Sequence, residues 1–126
     1  MLPEPNRLHH HADFSRTVRR GKRIGRRDLV VHGFDCSASE PVADVRFGGP
    51  RFGLIVSKSV GPAVVRRRVA RRLRHVCAEL RPGLASDIDV VIRALPGAAT
   101  ASSDELERQV RGGLAKLQLL DSDAAR

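Results

Sequence analysis

The sequence predicts a single α+β domain, in which three helices pack on a small mixed sheet in the order α-β-β-β-α-β-α. Two observations favour this fold. Apolar residues recur at spacings of three and four in three segments, which is typical of amphipathic helices, and short apolar runs bounded by turn residues lie between them. The chain has 126 residues and is 41% hydrophobic. One domain over residues 1–126 is therefore expected, with a core over residues 6–120 and short flexible ends.

The first third of the chain predicts a helix, a strand and a loop. Four apolar residues recur at helical spacing: Leu8, Ala12, Phe14 and Val18. They predict a helix over residues 8–20, and Gly21 is a typical helix stop. Residues 28–34, DLVVHGF, predict a strand. Residues 35–50 are rich in Ser, Pro, Gly and Asp, so we expect a loop there, with a third strand within residues 42–48.

The remaining sequence predicts strand, helix, strand and helix. Residues 51–58, RFGLIVSK, predict a strand with alternate side chains on each face. A long helix follows and ends at the turn residues 81–83, after which residues 89–94, DVVIRA, are typical of a buried strand. Ser102 and Glu105 form a capping-box pattern before the last helix. The apolar residues of that helix are Leu106, Val110, Leu114 and Leu117.

The long helix combines an apolar stripe with dense positive charge. On a helical wheel its apolar residues fall within about 80° of one another; they are Val65, Val69, Leu73, Val76 and Leu80. Six arginines within nine positions occupy most of the remaining arc: Arg66, Arg67, Arg68, Arg71, Arg72 and Arg74. A solvated face is typical of mixed charges, but like charges four residues apart repel. This pattern therefore favours contact with phosphates, whose oxygens suit the guanidinium fork.

Positive charge is concentrated in the first two thirds of the chain. The net charge is +9, and residues 7–81 carry eighteen basic and six acidic side chains, whereas residues 82–126 are net negative by two. A second basic cluster precedes the first strand: Arg16, Arg19, Arg20, Lys22, Arg23, Arg26 and Arg27. This asymmetry predicts a polyanionic partner, with nucleic acid ahead of an anionic membrane, which would favour bulky apolar residues opposite the charge.

The motifs of common catalytic and metal sites are missing from the sequence. It contains no P-loop, no dinucleotide-binding glycine motif and no cysteine pairs at zinc spacing. The three adjacent histidines at residues 9–11 favour a solvated segment over a metal site, so we expect no catalytic residue and no metal ligand. Cys36 and Cys77 predict two reduced thiols in a cytoplasmic protein. No run reaches the roughly 18 apolar residues of a membrane span, and the first segment, MLPEPNRLHHHADF, lacks the apolar run expected of a signal peptide.

Three segments, in this order and spacing, resemble the bacterial ribonuclease P protein subunit family. They are NRLHHHADFSRTVRRGKR at residues 6–23, RFGLIVSKSVGPAVVRRRVARRLRHV at residues 51–76 and DIDVVIRALPGAATAS at residues 87–102. The middle segment is the most specific, since it joins a strand ending in Val-Ser-Lys to an arginine-rich helix. The resemblance implies a two-layer α/β sandwich like the second domain of ribosomal protein S5, with a left-handed β-α-β crossover around that helix.

The resemblance also implies two groups of RNA-binding residues. The resemblance implies that five residues contact the catalytic RNA subunit: Lys58, Arg66, Arg68, Arg71 and Arg74. Arg67 and Arg72 of the same arginine-rich helix are assigned to this group with them. A cleft between the first helix and the sheet is implied for the single-stranded 5′ leader of precursor tRNA, and its matching positions are Phe14, Val18 and His32. The supporting basic cluster is Arg16, Arg19, Arg20, Lys22 and Arg23. From the residues alone, Phe14 is better interpreted as an ordinary core aromatic, and the resemblance makes the two interpretations about equal.

The chain departs from the family pattern at several of these positions. Arg67 replaces the central Asn of an Arg-Asn-Arg motif, and Pro62 replaces the Asn of the preceding turn. Val18 and His32 stand where aromatic residues often line the cleft, so stacking of the leader is expected to be weaker, with His32 and nearby arginines in place of the rings. Ala70 stands where a lysine is common.

The implied function is that of an endoribonuclease subunit. The RNA subunit, with bound Mg²⁺, would remove the leader of precursor tRNA, and the protein would bind both RNAs without an organic cofactor, a membrane or an obligate protein partner. The alternative is a ribosomal or RNA-assembly protein with no enzymatic role. A DNA-binding regulator is a third hypothesis, which the sequence disfavours because the turn and partner helix of a helix-turn-helix and a dimer seam are missing.

Overall fold

In the computed structural model, which describes residues 2–38 and 49–120, the chain forms three helices and four strands. In chain order these are α1 (His11–Arg20), β1 (Lys22–Gly25), β2 (Leu29–Asp35), β3 (Arg51–Ile55), α2 (Ala63–Leu80), β4 (Ile88–Ala94) and α3 (Ser103–Lys116). Short 3-10 turns connect several of them. The α+β class and the order α-β-β-β-α-β-α are those that the sequence predicts.

The strand β1 was not foreseen at its observed position. We expected the additional strand within residues 42–48, which lie outside the described residues, and assigned residues 22–25 to a basic segment. The structure pairs that segment antiparallel with β2, so that Arg23 lies opposite His32. Among its four residues Ile24 alone is bulky and apolar. The sequence of β1 therefore has no alternating apolar pattern that would predict a strand. Its extended conformation is determined by hydrogen bonding to β2.

Helix α1 begins three residues later than predicted, because the preceding segment runs along β3. The Leu8 N–H donates to the Phe52 carbonyl over 2.8 Å, and Arg7 forms a parallel bridge with Phe52. This segment covers the free edge of β3, where unpaired backbone groups would otherwise face solvent. The helix ends at Arg20, with Gly21 as the predicted stop, and the Gly21 N–H donates to the Thr17 carbonyl.

The four strands form one mixed sheet in the order β1-β2-β4-β3. β2 is antiparallel to both β1 and β4, whereas β3 and β4 are parallel. Two parallel neighbours need a crossover connection, and α2 supplies it. The β-α-β unit implied by the family resemblance is therefore present, and the left hand of its crossover stays a prediction.

One face of the sheet packs against α2 and α3 to form the apolar core. Side chains that are 2% exposed or less include Leu29, Val31, Phe52, Val69, Leu73, Val90, Ile92, Leu106, Val110 and Leu114. The apolar stripe predicted for α2 is buried except for Val65, which is half-buried. Gly113 allows α3 to approach the sheet, since a Cβ at that position would lie 2.9 Å from Val31. Apolar burial of this kind contributes roughly 25 cal/mol per Å² and is the main stabilising term of the fold.

Helix α1 lies on the opposite face of the sheet. Because side chains alternate along a strand, His32, Val91 and Gly53 point away from α2 and α3. They are neighbours across β2, β4 and β3. The aromatic ring of Phe14 from α1 lies against Gly53, where any Cβ would collide with it. The sheet thus carries two different interfaces, one with α2 and α3 and one with α1.

Local sequence signals set the ends of two further elements. The Ser102 hydroxyl accepts from the Glu105 N–H over 3.1 Å and donates to the Glu105 carboxylate over 3.2 Å. Ser102 is therefore confirmed as the N-cap that starts α3, and the Glu105 carboxylate of the predicted capping box bonds to the Ser102 hydroxyl. β3 ends at Ile55, earlier than predicted, and the chain then forms the short turn Lys58–Val60 before α2. Lys58 is accordingly exposed on a turn, and not at the end of a strand.

Both cysteines are buried, and neither forms a disulfide. This agrees with the prediction of two reduced thiols. Burial raises the pKa of the Cys77 thiol, so this side chain stays protonated and behaves as a small apolar residue. Among the described residues, no helix is both long and apolar enough to cross a membrane.

Candidate nucleic-acid interface

The arginines of α2 do not form a single surface, because two of them are bound to the chain segment that precedes α3. The Arg68 Nη2 donates to the Ala99 carbonyl over 3.1 Å, and the Arg72 Nη1 donates to the Ala101 carbonyl over 2.8 Å. Both side chains are half-buried. These two guanidinium groups therefore connect α2 to the entry of α3. The sequence could not predict this, since the carbonyls lie about thirty residues away.

The other arginines of α2 face outward. Arg67 and Arg71 are exposed, and Arg74 is half-buried. Within residues 2–38 and 49–120, no carboxylate forms an ion pair with any of the three. Arg66 is half-buried, and its Nε donates to the Gly61 carbonyl over 3.1 Å, just before the helix begins. Unneutralised guanidinium groups in a row on one helix make a surface that attracts phosphates.

This arginine surface borders a groove of about 510 Å³ between α2, the edge of β3 and the N-terminal segment. Apolar side chains of the groove include Phe14, Phe52, Leu54 and Val56. Its basic side chains are Arg7, Arg66, Arg67 and Arg74, together with His9. An apolar floor with basic groups beside it suits a single-stranded nucleic acid, whose bases stack on rings while its phosphates contact cations.

A smaller cavity of about 220 Å³ extends the groove along α2. It is lined by Arg7, Arg71, Arg74 and His75. Arg7 contributes to both cavities, and its Nε donates to the Leu2 carbonyl over 3.0 Å. Arg7 is not among the predicted site residues, because a lone arginine in an N-terminal segment carries no recognisable pattern. The bridge of this segment to β3 brings it opposite α2.

The structure separates the three residues that the resemblance assigns to the leader cleft. Phe14 lies on the wall of the groove, whereas Val18 is half-buried and His32 is 3% exposed, and neither lines the groove. Burial lowers the pKa of the His32 imidazole, and the nearby charges of Arg93 and Arg23 lower it further. This histidine is therefore neutral in the folded protein at pH 7. Contact of Val18 and His32 with a leader stays a prediction.

The supporting basic cluster is divided as well. Arg16 points inward, where its Nη2 pairs with Asp13 over 3.1 Å and with Asp89 over 3.2 Å. Its guanidinium lies 5.3 Å from the centre of the Phe34 ring. The other four residues of the cluster are exposed on the last turn of α1 and on β1: Arg19, Arg20, Lys22 and Arg23. None of these four lines the groove, and Lys22 and Arg23 lie on β1, at the sheet edge opposite β3.

Among the described residues, no group of three His, Cys, Asp or Glu side chains lies close enough to hold a metal ion. The groups that the groove does present are guanidinium and aromatic side chains. An arginine-rich groove on a small α+β sheet domain defines this chain as a nucleic-acid-binding protein.

Comparison with known proteins identifies the family. A family model described as Ribonuclease P matches residues 2–118. The ribonuclease P protein component of Nocardia farcinica is 68% identical, with 93% of this chain and 83% of that protein covered. That of Rhodococcus opacus is 65% identical, with 95% of this chain and 94% of that protein covered. The chain belongs to the ribonuclease P protein family.

Solved structures show the same fold. The RNase P protein of Staphylococcus aureus superposes with a TM-score of 0.75 at 21% identity, covering 92% of this chain and 98% of that one. The RNase P protein of Thermotoga maritima, in complex with 1-(4-fluorophenyl)-2-thiourea, superposes with a TM-score of 0.67 at 16% identity. The match covers 83% of this chain and 94% of that one.

Membership of this family establishes the function. As the protein subunit of ribonuclease P, the chain associates with the ribonuclease P RNA and takes part in the 5′ processing of tRNA. This is the first of the functions predicted from the sequence. It is favoured over a ribosomal or assembly protein and over a DNA-binding regulator.

Proposed function

We propose that the groove holds the single-stranded 5′ leader of precursor tRNA while the outer face of α2 binds the RNA subunit, which cleaves the leader. The observation that carries this proposal is the continuity of the two surfaces. Arg67 and Arg74 line the groove, and Arg74 also lines the smaller cavity with Arg71. A protein with both surfaces on one helix can hold two RNA strands side by side, which converts their encounter into an intramolecular one.

In this proposal the leader is bound by stacking and by phosphate contacts. Phe14, which is half-buried, offers an aromatic surface to bases, and Arg7 and Arg67 lie beside the same groove to meet the backbone. Stacking on an aromatic ring contributes about 1–3 kcal/mol per base and accepts every base. That tolerance suits leaders of different sequence.

In this proposal the outer face of α2 binds the RNA subunit by charge. Arg71 and Lys58 are exposed beyond the groove. Each phosphate that they neutralise releases counterions, so the affinity falls as salt is raised. The same positive charge screens repulsion between the two RNA strands, which favours occupancy of metal sites on the RNA.

The chemistry is assigned to the RNA subunit and its Mg²⁺. The described residues that line the groove include no carboxylate that could act as a metal ligand or general base. Mg²⁺ bound to the RNA would supply an activated water for attack on the phosphodiester at the mature 5′ end. The protein contributes binding and orientation, and we place this activity in the cytoplasm.

A cleavage assay tests the proposal. Purified protein is combined with transcribed bacterial ribonuclease P RNA and 5′-labelled precursor tRNA, at a Mg²⁺ concentration too low for the RNA alone. We expect cleavage at the mature 5′ end when both components are present. An Arg67→Ala/Arg71→Ala double variant is expected to lose most of this rescue, and Arg108→Ala, which removes an exposed arginine of α3, is the matched control.

The assay also separates the alternative. RNA binding without rescue of cleavage would favour a role in RNA assembly and contradict the proposal. Rescue that is equal for substrates with and without a leader would keep the subunit role but remove the leader from the groove.

A further inference from the structure

A closed ring of four charged side chains attaches α1 to the sheet. Asp89 of β4 is fully buried and accepts from Arg51 of β3, through Nε over 3.0 Å and through Nη2 over 2.8 Å. It also accepts from Arg16 of α1 over 3.2 Å. Asp13 of α1 completes the ring by pairing with Arg16 over 3.1 Å and with Arg51 over 3.4 Å. Three elements of the fold therefore meet at one buried carboxylate.

Asp89 is the member of the ring that the others depend on. A buried carboxylate is stable only when it is paired and hydrogen-bonded, and the fork of Arg51 matches both of its oxygens. Arg51 and Arg16 belong to different elements, β3 and α1, and Asp89 anchors both of them. If Asp89 lost its charge, Asp13 would be the remaining carboxylate of the ring beside the two guanidinium groups.

The ring of four charged side chains includes residues from the same helical turn of α1 that carries Phe14. Asp13 and Arg16 flank this aromatic residue in sequence. In the sheet, Arg51 pairs with Asp89 and Gly53 pairs with Val91, two residues further along the same two strands. Side chains two residues apart lie on one face of a strand. The charged ring and the place where Phe14 meets Gly53 are thus adjacent on the α1 face of the sheet.

We propose that Asp89 is a positioning residue, which holds Phe14 as a wall of the groove through Arg51 and Arg16. The glycine at residue 53 provides the space for the aromatic ring, and the charged ring fixes the helix that presents it. If Asp89 loses its charge, α1 shifts on the sheet, and Phe14 no longer lies where it can stack on a base of the bound leader. This inference rests on the proposed binding of the leader in the groove.

The test uses the reconstituted holoenzyme and compares KM for precursor tRNA with a long leader and with a one-nucleotide leader. For Asp89→Asn we expect KM of the long-leader substrate to rise about tenfold, because displacement of a positioning group by about 1 Å has effects of this size or larger. KM of the short-leader substrate, kcat and the affinity for the RNA subunit are expected to stay at wild-type values. Asp104→Asn, at an exposed carboxylate of α3, is the matched control.

A double-mutant cycle separates positioning from a general loss of stability. If Asp89 acts through Phe14, then Asp89→Asn adds nothing to the effect of Phe14→Ala on the long-leader KM. Additive effects would overturn the proposal. Arg51→Lys is the second variant, because it keeps the positive charge and removes the fork. It is expected to reproduce the leader-specific effect, and it decides the test if Asp89→Asn does not fold.

Two further outcomes are informative. Wild-type leader discrimination in both Asp89→Asn and Arg51→Lys, with normal folding by circular dichroism, would overturn the inference while leaving the proposed function intact. If the wild-type holoenzyme itself shows no dependence on the leader, the proposed leader groove fails, and the positioning role fails with it.

Discussion

Arg68 and Arg71 lie one turn apart on α2, yet their guanidinium groups have different surroundings. Arg68 donates to the Ala99 carbonyl, whereas Arg71 is exposed and lines the cavity beside Arg7. For Arg71→Ala we expect the slope of log affinity against log salt to fall by about one unit. The free energy of unfolding should change by less than about 0.5 kcal/mol. Binding titrations with the RNA subunit at several salt concentrations measure the slope.

For Arg68→Ala the expected result is the reverse. Loss of the hydrogen bond to the Ala99 carbonyl should lower the free energy of unfolding by about 1–3 kcal/mol, as measured by urea denaturation. The salt slope should stay close to that of the wild type. A reduced slope with unchanged stability would support the contact of Arg68 with RNA that the family resemblance implies, which stays a prediction.

His32 makes stability depend on pH. Burial, with Arg93 and Arg23 nearby, lowers its pKa in the folded protein. The unfolded chain therefore takes up a proton at a higher pH, near the ordinary value of about 6.5. The contribution of His32 to stability is present above that value and is lost as the pH falls below it. We expect the free energy of unfolding to decrease between about pH 7.5 and about pH 5.5.

Urea denaturation across this pH range measures the dependence. His32→Gln removes the titrating group and is expected to flatten it, and His75→Gln, at an exposed histidine, is the control that should retain it. An unchanged pH dependence in His32→Gln would show that another group is responsible.

At the scale of single elements, α3 is the helix whose start is defined by a local motif. The Ser102 hydroxyl accepts from the Glu105 N–H and donates to its carboxylate. Ser102→Ala is expected to lower the free energy of unfolding by about 1 kcal/mol, since an unfilled cap leaves backbone donors without a partner. Ser86→Ala, at an exposed loop serine, is the control for urea denaturation. Equal stability of the two variants would contradict the cap.

At the scale of the whole molecule, the two faces of the sheet are held by different forces. The α2 and α3 face is apolar, whereas the α1 face contains the ring around Asp89 and three buried polar atoms that have no hydrogen-bond partner among the described residues: Arg16 Nε, Thr17 Oγ1 and His32 Nδ1. Such unpaired polar groups weaken an interface. The α1 face should therefore open more readily than the apolar face.

Hydrogen exchange should reveal this difference. We expect amides of α1 to exchange faster than those of β4, which is paired on both sides with β2 and β3. Raised salt should increase exchange in α1 more than in α3, because the ring around Asp89 is partly electrostatic. Equal protection of α1 and β4 would indicate that the whole domain opens as one unit.

The sequence by itself determined the elements whose pattern is local. Apolar spacing predicted α2 and α3, the run at residues 89–94 predicted β4, and Ser102 with Glu105 predicted the cap of α3. The charge pattern and the strand-turn-helix motif of residues 51–76 also identified the family. These predictions succeed because helical periodicity and capping depend on neighbours within a few residues.

The tertiary structure alone decided which side chains share a surface. β1 is a strand because β2 pairs with it, and Arg7 reaches the groove because its segment lies along β3. Arg68 and Arg72 serve the fold because distant carbonyls accept their hydrogen bonds. Asp89 likewise has partners from two other elements. Each of these contacts joins residues far apart in the chain, and no local pattern encodes the distance between them.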